Sequence, residues 1–223
     1  MQKICIVSPA LSMGGIERAS SNLANHFSSI GYKVTFITIF PHEHFFSLST
    51  SIKLIEPYTD LNASKINIPR TVFWLRKMIN NTKPDVILVF NYFYGALVNL
   101  AVFKSRIPLY ISDRMSPIYR WPKPIAIFNR IVYTLLPPDG LVAQTEYAAI
   151  SKKAIFKNKV KIEVIPNLLR DVKLYPTKKR KKTLLAVGRL NDPLKGFDRL
   201  IQAFSLLKAK DWSLVFVGGN EEG

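Results

Sequence analysis

Two stretches of the sequence hold residue types that could handle an anion. One reads Gly188-Arg189-Leu190-Asn191-Asp192-Pro193-Leu194-Lys195-Gly196-Phe197-Asp198. A guanidinium at 189 can fork onto phosphate oxygens, and an ammonium at 195 supplies a point charge beside a helix start. Two cations converging there suit a diphosphate; solvated loop cations are the competing reading. The other stretch reads Ser8-Pro9-Ala10-Leu11-Ser12-Met13-Gly14-Gly15-Ile16-Glu17-Arg18. Gly14 and Gly15 would let backbone N–H groups approach an anion at a helix N-terminus, where the dipole favours negative charge. A plain turn is the alternative. The spacing is neither GxGxxG nor GxxxxGK[ST], so a dinucleotide fingerprint and a P-loop are both unsupported.

The remaining chemistry-bearing residues are sparse. His26 falls within a helical pattern and reads as packed or solvated. His42 and His44 flank Glu43 in a metal-like triplet, but no Cys or second cluster lies nearby in the sequence, and no metal site is assigned. There is no GxSxG elbow. Cys5, the one cysteine, sits in an apolar run and reads as a small buried hydrophobe; a single cysteine also excludes a disulfide scaffold.

These residues need elements to position them, and the hydrophobic pattern supplies a regular alternation. Ile4–Val7 is a continuous apolar run, as expected of a strand buried on both faces of a parallel sheet. A helix follows from about Ile16, stopping before Gly31, and Lys33–Phe40 is a strand rich in β-branched residues. Strands at 52–55, 85–90, 109–111, 140–143 and 160–165 alternate with helices at 70–80, 94–103 and 125–136. The alternation means an open parallel sheet covered on both faces, one doubly wound α/β domain over 1–165. A polar, basic stretch over 166–182 reads as a linker. A second strand-helix-strand unit then begins at 183–187, 196–208 and 214–217. Two parallel strands and one helix leave a sheet face and edge uncovered, so the second domain over 183–223 is expected to be partial, as a fragment or as one half completed by another chain.

The chain has 223 residues, 32 Lys plus Arg against 15 Asp plus Glu, and a formal charge of +17. Residues 1–111 carry 11 basic and 5 acidic groups, and 112–223 carry 21 and 10. The excess peaks in Lys178-Lys179-Arg180-Lys181-Lys182, which reads as a solvated linker or as a contact to membrane or nucleic acid. Nucleic acid is disfavoured, because the aromatics fall in core-like runs and no familiar binding module is present. Residues 68–79 and 118–136 mix cations with Trp, Tyr and Phe. They suit a helix lying in a membrane interface, or equally a helix packed on the sheet with its cations in solvent. The apolar start, Met1 to Val7, is too short for a secretory signal. A cytoplasmic location is expected, with the inner face of the membrane as the site of any lipid contact.

Taken together, Gly14-Gly15-x-Glu17-Arg18, Val164-Ile165-Pro166-Asn167, Val187-Gly188-Arg189-Leu190, Lys195-Gly196-Phe197-Asp198 and Val217-Gly218-Gly219 resemble glycosyltransferase family 4 in order and spacing. The resemblance implies a GT-B fold, two Rossmann-like domains facing across a cleft, the first for the acceptor and the second for a nucleotide-sugar such as a UDP- or GDP-sugar. It implies transfer with retention of configuration, without metal or cofactor. Arg189 and Lys195 would bind the donor diphosphate and stabilise the departing nucleotide, with Gly14 and Gly15 lining the cleft opposite. The acceptor would be a glycan or lipid-linked molecule of cell-surface polysaccharide or lipopolysaccharide synthesis. Two features depart from the family pattern. Its pair of glutamates separated by seven residues is not supplied by Glu221 and Glu222. Its cleft histidine is replaced in Ser112-Asp113-Arg114-Met115-Ser116-Pro117, where Arg114 is open to substrate contact or to pairing with Asp113. Weak transfer by this chain alone is expected. The rival reading is a non-catalytic remnant that docks on membrane or on a partner.

Overall fold

The structure, a computed structural model, describes residues 1–57, 67–157, 159–167, 180–208 and 211–219. It divides into two compact units, Met1–Leu169 and Arg170–Gly223. Most of the predicted basic linker and the residues Glu221 and Glu222 lie outside the described residues.

The first unit runs β1 (Lys3–Ser8), α1 (Gly15–Ser29), β2 (Lys33–Thr38), β3 (Lys53–Ile55), α2 (Ile68–Thr82), β4 (Val86–Phe90), α3 (Tyr92–Ala101), β5 (Leu109–Asp113), α4 (Lys123–Leu135), β6 (Gly140–Ala143), α5 (Glu146–Phe156) and β7 (Lys161–Val164). All seven strands are parallel, in the order β3-β2-β1-β4-β5-β6-β7. The order reverses between β1 and β4, so the crossovers leave opposite faces there and a crevice opens at the carboxyl ends of these strands.

Burial on both faces explains the continuous apolar strands. Cys5, Ile6 and Val7 of β1 and Phe36 and Ile37 of β2 are inaccessible to solvent. Ile4, Ile6, Val34 and Phe36 form one layer with Ala24 of α1, while Cys5, Val7, Ile37, Ile87 and Val89 form another with Leu75 and Ile79 of α2 and Leu97 of α3. Burial pushes the Cys5 thiol up from its ordinary 9.0 to about 12, because a thiolate would have no solvation there. Cys5 is therefore a core residue.

Helix starts carry side-chain caps where the sequence offers them. Asn67 Oδ1 accepts from Arg70 N at 3.1 Å, Asn91 Oδ1 from Phe93 N at 2.9 Å, and Thr145 Oγ1 from Ala148 N at 3.2 Å. The charge-free run 86–103 does not form one long helix. Asn91 breaks it into β4 and α3, and no helix among the described residues is long and apolar enough to cross a membrane.

The second unit contains β8 (Thr183–Val187), a 3-10 turn (Pro193–Lys195), α6 (Phe197–Ser205) and β9 (Ser213–Val217), with β8 and β9 parallel. Phe216 meets Phe197 of α6 edge-on, with ring centroids 5.0 Å apart. On the other face, Leu185, Val187, Val215 and Val217 are exposed. The helix expected from 196 starts at Phe197, because Gly196 takes a left-handed conformation (φ +64) between the 3-10 turn and α6. The helix α5 has no counterpart in the sequence expectations.

Candidate functional site

In the second unit the chain turns at Gly188 on leaving β8. A Cβ at Gly188 would press on Phe197 Cζ (3.2 Å) and on the Lys195 stem (3.4 Å), and one at Gly218 would collide with the Gly188 carbonyl. These glycines let the ends of β8 and β9 lie side by side, with the Lys195 methylenes drawn over the β8 turn. Asp192 organises the loop. Its Oδ1 accepts from Leu194 N at 3.0 Å, closing the 3-10 turn, and its Oδ2 pairs with Arg189 Nη2 at 2.9 Å. The Leu194 N–H holds the Asp192 carboxyl below its ordinary value; desolvation opposes this, and Arg189 and, least of all, the Lys195 charge add to the lowering. Arg189 is thus paired with this carboxylate, and Lys195 lies on the same loop, its backbone N–H bonded to the Asp192 carbonyl at 3.0 Å.

In the first unit, Gly14 caps α1 with extended backbone, and the helix begins with Arg18 N bonded to Gly14 O at 3.0 Å. A side chain at Gly14 would land on a carboxylate oxygen of Glu17, whereas Gly15 faces open space. The chain's own Glu17 carboxylate therefore stands at this helix N-terminus. Its charge and burial raise the Tyr94 hydroxyl to about 12, burial contributing more.

A second group of side chains collects at the carboxyl ends of β4 to β7. Arg114, the first residue past β5, donates Nε–H to Ser112 Oγ at 2.8 Å and Nη1–H to Asn167 Oδ1, and its guanidinium lies 5.6 Å from the centre of the Phe90 ring. Gln144 Nε2 donates to the Arg114 carbonyl at 3.5 Å. Half-burial lowers the Arg114 pKa while leaving it a cation at any ordinary pH. Arg114 does not pair with Asp113, contrary to one of the two sequence readings. The Asp113 carboxylate is taken by Lys152 of α5, with Nζ 2.7 Å from Oδ2, and by Met115 N, which donates to Oδ1 at 3.1 Å. Asn91 at the end of β4 is buried and holds φ +85, a left-handed conformation unusual for a side-chain-bearing residue.

Asn91, Asn167, Asp113 and Lys152 were not singled out as site residues. A Ser-Asp-Arg step at a strand end and an asparagine closing an apolar run were the available signals for three of them; Lys152 had none. Elsewhere, His44 Nε2 lies 3.0 Å from both oxygens of Glu56, which also accepts from Thr38 Oγ1 at 3.0 Å. His44 further lines a cavity of about 430 Å³ with Leu11, Phe45, Phe46 and Leu54, which includes none of the predicted site residues.

A doubly wound parallel sheet with polar side chains clustered at its strand carboxyl ends, joined in sequence to a second strand-helix-strand unit, defines an α/β protein of GT-B-like architecture. The sequence profile of Glycosyltransferase Family 4 matches residues 13–169, and the chain belongs to that family. An uncharacterized glycosyltransferase of Haemophilus influenzae is 29% identical over 227 residues, 95% of this chain and 60% of that protein. A Campylobacter jejuni enzyme, GalNAc-alpha-(1->4)-GalNAc-alpha-(1->3)-diNAcBac-PP-undecaprenol alpha-1,4-N-acetyl-D-galactosaminyltransferase, is 26% identical over 86% of this chain and 54% of its own length. Among solved structures, Anabaena Alr3699/HepE in complex with UDP shares the fold at a TM-score of 0.68 and 15% identity, over the whole of this chain and 62% of that one. The chain thus spans 60% or less of the length of the two curated relatives.

Proposed function

We propose that this protein serves a retaining glycosyltransferase reaction, moving a hexosyl group from a UDP- or GDP-sugar to a glycan or lipid-linked acceptor in cell-surface polysaccharide synthesis. The observation that carries the reading is the pairing of Arg189 with Asp192 at the mouth of β8, with Lys195 on the same loop. A strand-to-helix loop that holds one cation on a carboxylate and carries a second close by in sequence can exchange the carboxylate for a diphosphate, whose charge grows as the glycosidic bond breaks. Preorganised cations then favour the leaving nucleotide more than the intact donor, which lowers the barrier. The UDP bound in the Anabaena structure supports a nucleotide-sugar donor, and the undecaprenol-linked substrate in the Campylobacter enzyme's name supports a lipid-linked acceptor. Gly14 and Gly15 are assigned to substrate binding and Arg114 to the acceptor, its uncommitted N–H groups suiting sugar hydroxyls or phosphate oxygens.

Incubation with radiolabelled UDP-glucose, UDP-N-acetylgalactosamine and GDP-mannose, with and without undecaprenyl-linked glycan, tests the reading. Label transferred to lipid supports it. Donors that neither bind nor turn over, in the presence of membranes and candidate partner chains, would remove it.

One observation favours a second reading, a non-catalytic module docking on membrane or partner. Ile127, Ile131 and Leu135 form an exposed apolar stripe on α4 beside Lys123 and Arg130, and the outer face of β8–β9 is also apolar. Liposome flotation without donor hydrolysis would support this reading over the first.

A further inference from the structure

A buried ion pair sits behind Arg114 and takes no part in the function proposed above. Lys152 and Asp113 side chains are 13% and 5% exposed, with Nζ 2.7 Å from Oδ2. The same ammonium lies 3.6 Å from the centre of the Tyr92 ring, a close cation–π contact. Burying two charges costs desolvation on both sides, and an apolar pair of similar volume would hold the fold as well or better. The pair's special contribution must be something an apolar pair cannot provide. Here that is a fixed carboxylate: Asp113 Oδ1 accepts Met115 N at 3.1 Å and so closes the turn that contains Arg114. The turn directs the guanidinium to Ser112 and Asn167 and over Phe90. Without the ammonium, the Asp113 carboxylate would be a buried charge beside an aromatic face, and it would reach water only by opening that turn.

We infer that Lys152 is a positioning residue for Arg114: clamped between Asp113 and the Tyr92 ring, it holds the 113–115 turn in the conformation that presents the guanidinium at the carboxyl edge of the sheet. Lys152 need touch no substrate to do this. The clamp joins α5 to the ends of β5 and α3, so the geometry of Arg114 depends on three elements that are distant in sequence. The consequence for chemistry rests on the proposed reading of Arg114 as an acceptor contact; the positioning itself does not.

The test is the Arg114 Nε–H resonance in ¹H–¹⁵N spectra of the full 223-residue chain, assigned by its loss in R114Q. Hydrogen bonding to Ser112 should give the native protein a slowly exchanging signal. In K152M that signal should move toward the position of a free arginine and exchange with water at least tenfold faster, whereas K152R should retain it. The double variant D113L/K152M strands no charge and offers Met115 N no acceptor, so it should recover thermal stability relative to K152M without recovering the signal. It also carries the test if K152M fails to fold. A native-like Arg114 signal in K152M, or in the double variant, would overturn the inference and leave Lys152 a residue of stability alone. Titration with inorganic pyrophosphate separates the two layers. A wild-type Arg114 signal that ignores pyrophosphate and candidate acceptors alike counts against Arg114 as a substrate contact, and the variants decide the positioning role independently.

Discussion

At the residue scale, the loop proposed as a diphosphate clamp already contains a carboxylate of its own, Asp192. Arg189 makes a charge-assisted bond to Asp192, and Lys195 lies close enough to bias the same carboxyl. A diphosphate would offer these cations more oxygens than one carboxylate does. Charge-assisted hydrogen bonds contribute about 1.5–3 kcal/mol each, so Arg189→Ala and Lys195→Ala should each weaken UDP binding by roughly 10- to 100-fold. Titration calorimetry with UDP reads this directly, and affinities unchanged in both variants would remove the clamp. Asp192 gives a prediction of its own. Its folded-state pKa is depressed, so its contribution to the loop is complete above the ordinary value of 3.8 and is lost as pH falls through the lower folded value. The Leu194 amide resonance should therefore titrate with a midpoint below 3.8. A midpoint above it would contradict the bonding described.

At the element scale, the crossovers at strand carboxyl ends carry the local strain and the buried polar groups. Asn91 adopts φ +85 while capping α3. Glycine accepts that backbone without strain and alanine does not, while either substitution loses the cap. Asn91→Ala should cost ~2 kcal/mol in urea denaturation and Asn91→Gly less; the reverse order would count against backbone strain at this position. Asn129 of α4 is buried, and neither of its amide atoms finds a partner among the described residues. Asn129→Leu should raise stability by ~1 kcal/mol, since the unmade hydrogen bonds cost more than the amide returns. The same scale shows what was legible in the sequence. The apolar runs of β1 and β4 are continuous because both faces are buried, so strand and class could be read from the sequence pattern alone. The helix α5 could not: Tyr147, Ile150 and Ile155 are exposed while small Ala148 and Ala149 face the core, so no apolar stripe marks its inner side. Arg189 and Lys195 could be read as neighbours because one short loop holds them both. Arg114 was legible as a residue but not in its pairing. Its partner Asn167 is 53 residues away, and the Lys152 that captures Asp113 lies on the helix that left no pattern.

At the scale of the whole molecule, a formal charge of +17 makes association with an anionic surface a matter of magnitude. Each cation held near an anionic leaflet contributes about 1 kcal/mol, and salt removes this within a Debye length of ~10 Å at 0.1 M. Charge alone would give binding that 1 M NaCl abolishes. The α4 stripe adds a component that salt does not screen, because Ile127, Ile131 and Leu135 are 58%, 54% and 71% exposed and could enter the headgroup boundary. The chain should therefore float with vesicles of phosphatidylcholine and phosphatidylglycerol at low salt, with a minor fraction persisting at 1 M. Replacing Ile127 and Ile131 by Glu should abolish the persistent fraction while only weakening the low-salt binding, since the cations remain. Such a result would set α4 against the bilayer and bring a lipid-linked acceptor to the unit that carries Arg114. Binding of the variant equal to wild type at every salt concentration would assign the attachment to charge elsewhere on the surface, and the apolar stripe would then need a protein partner to explain it.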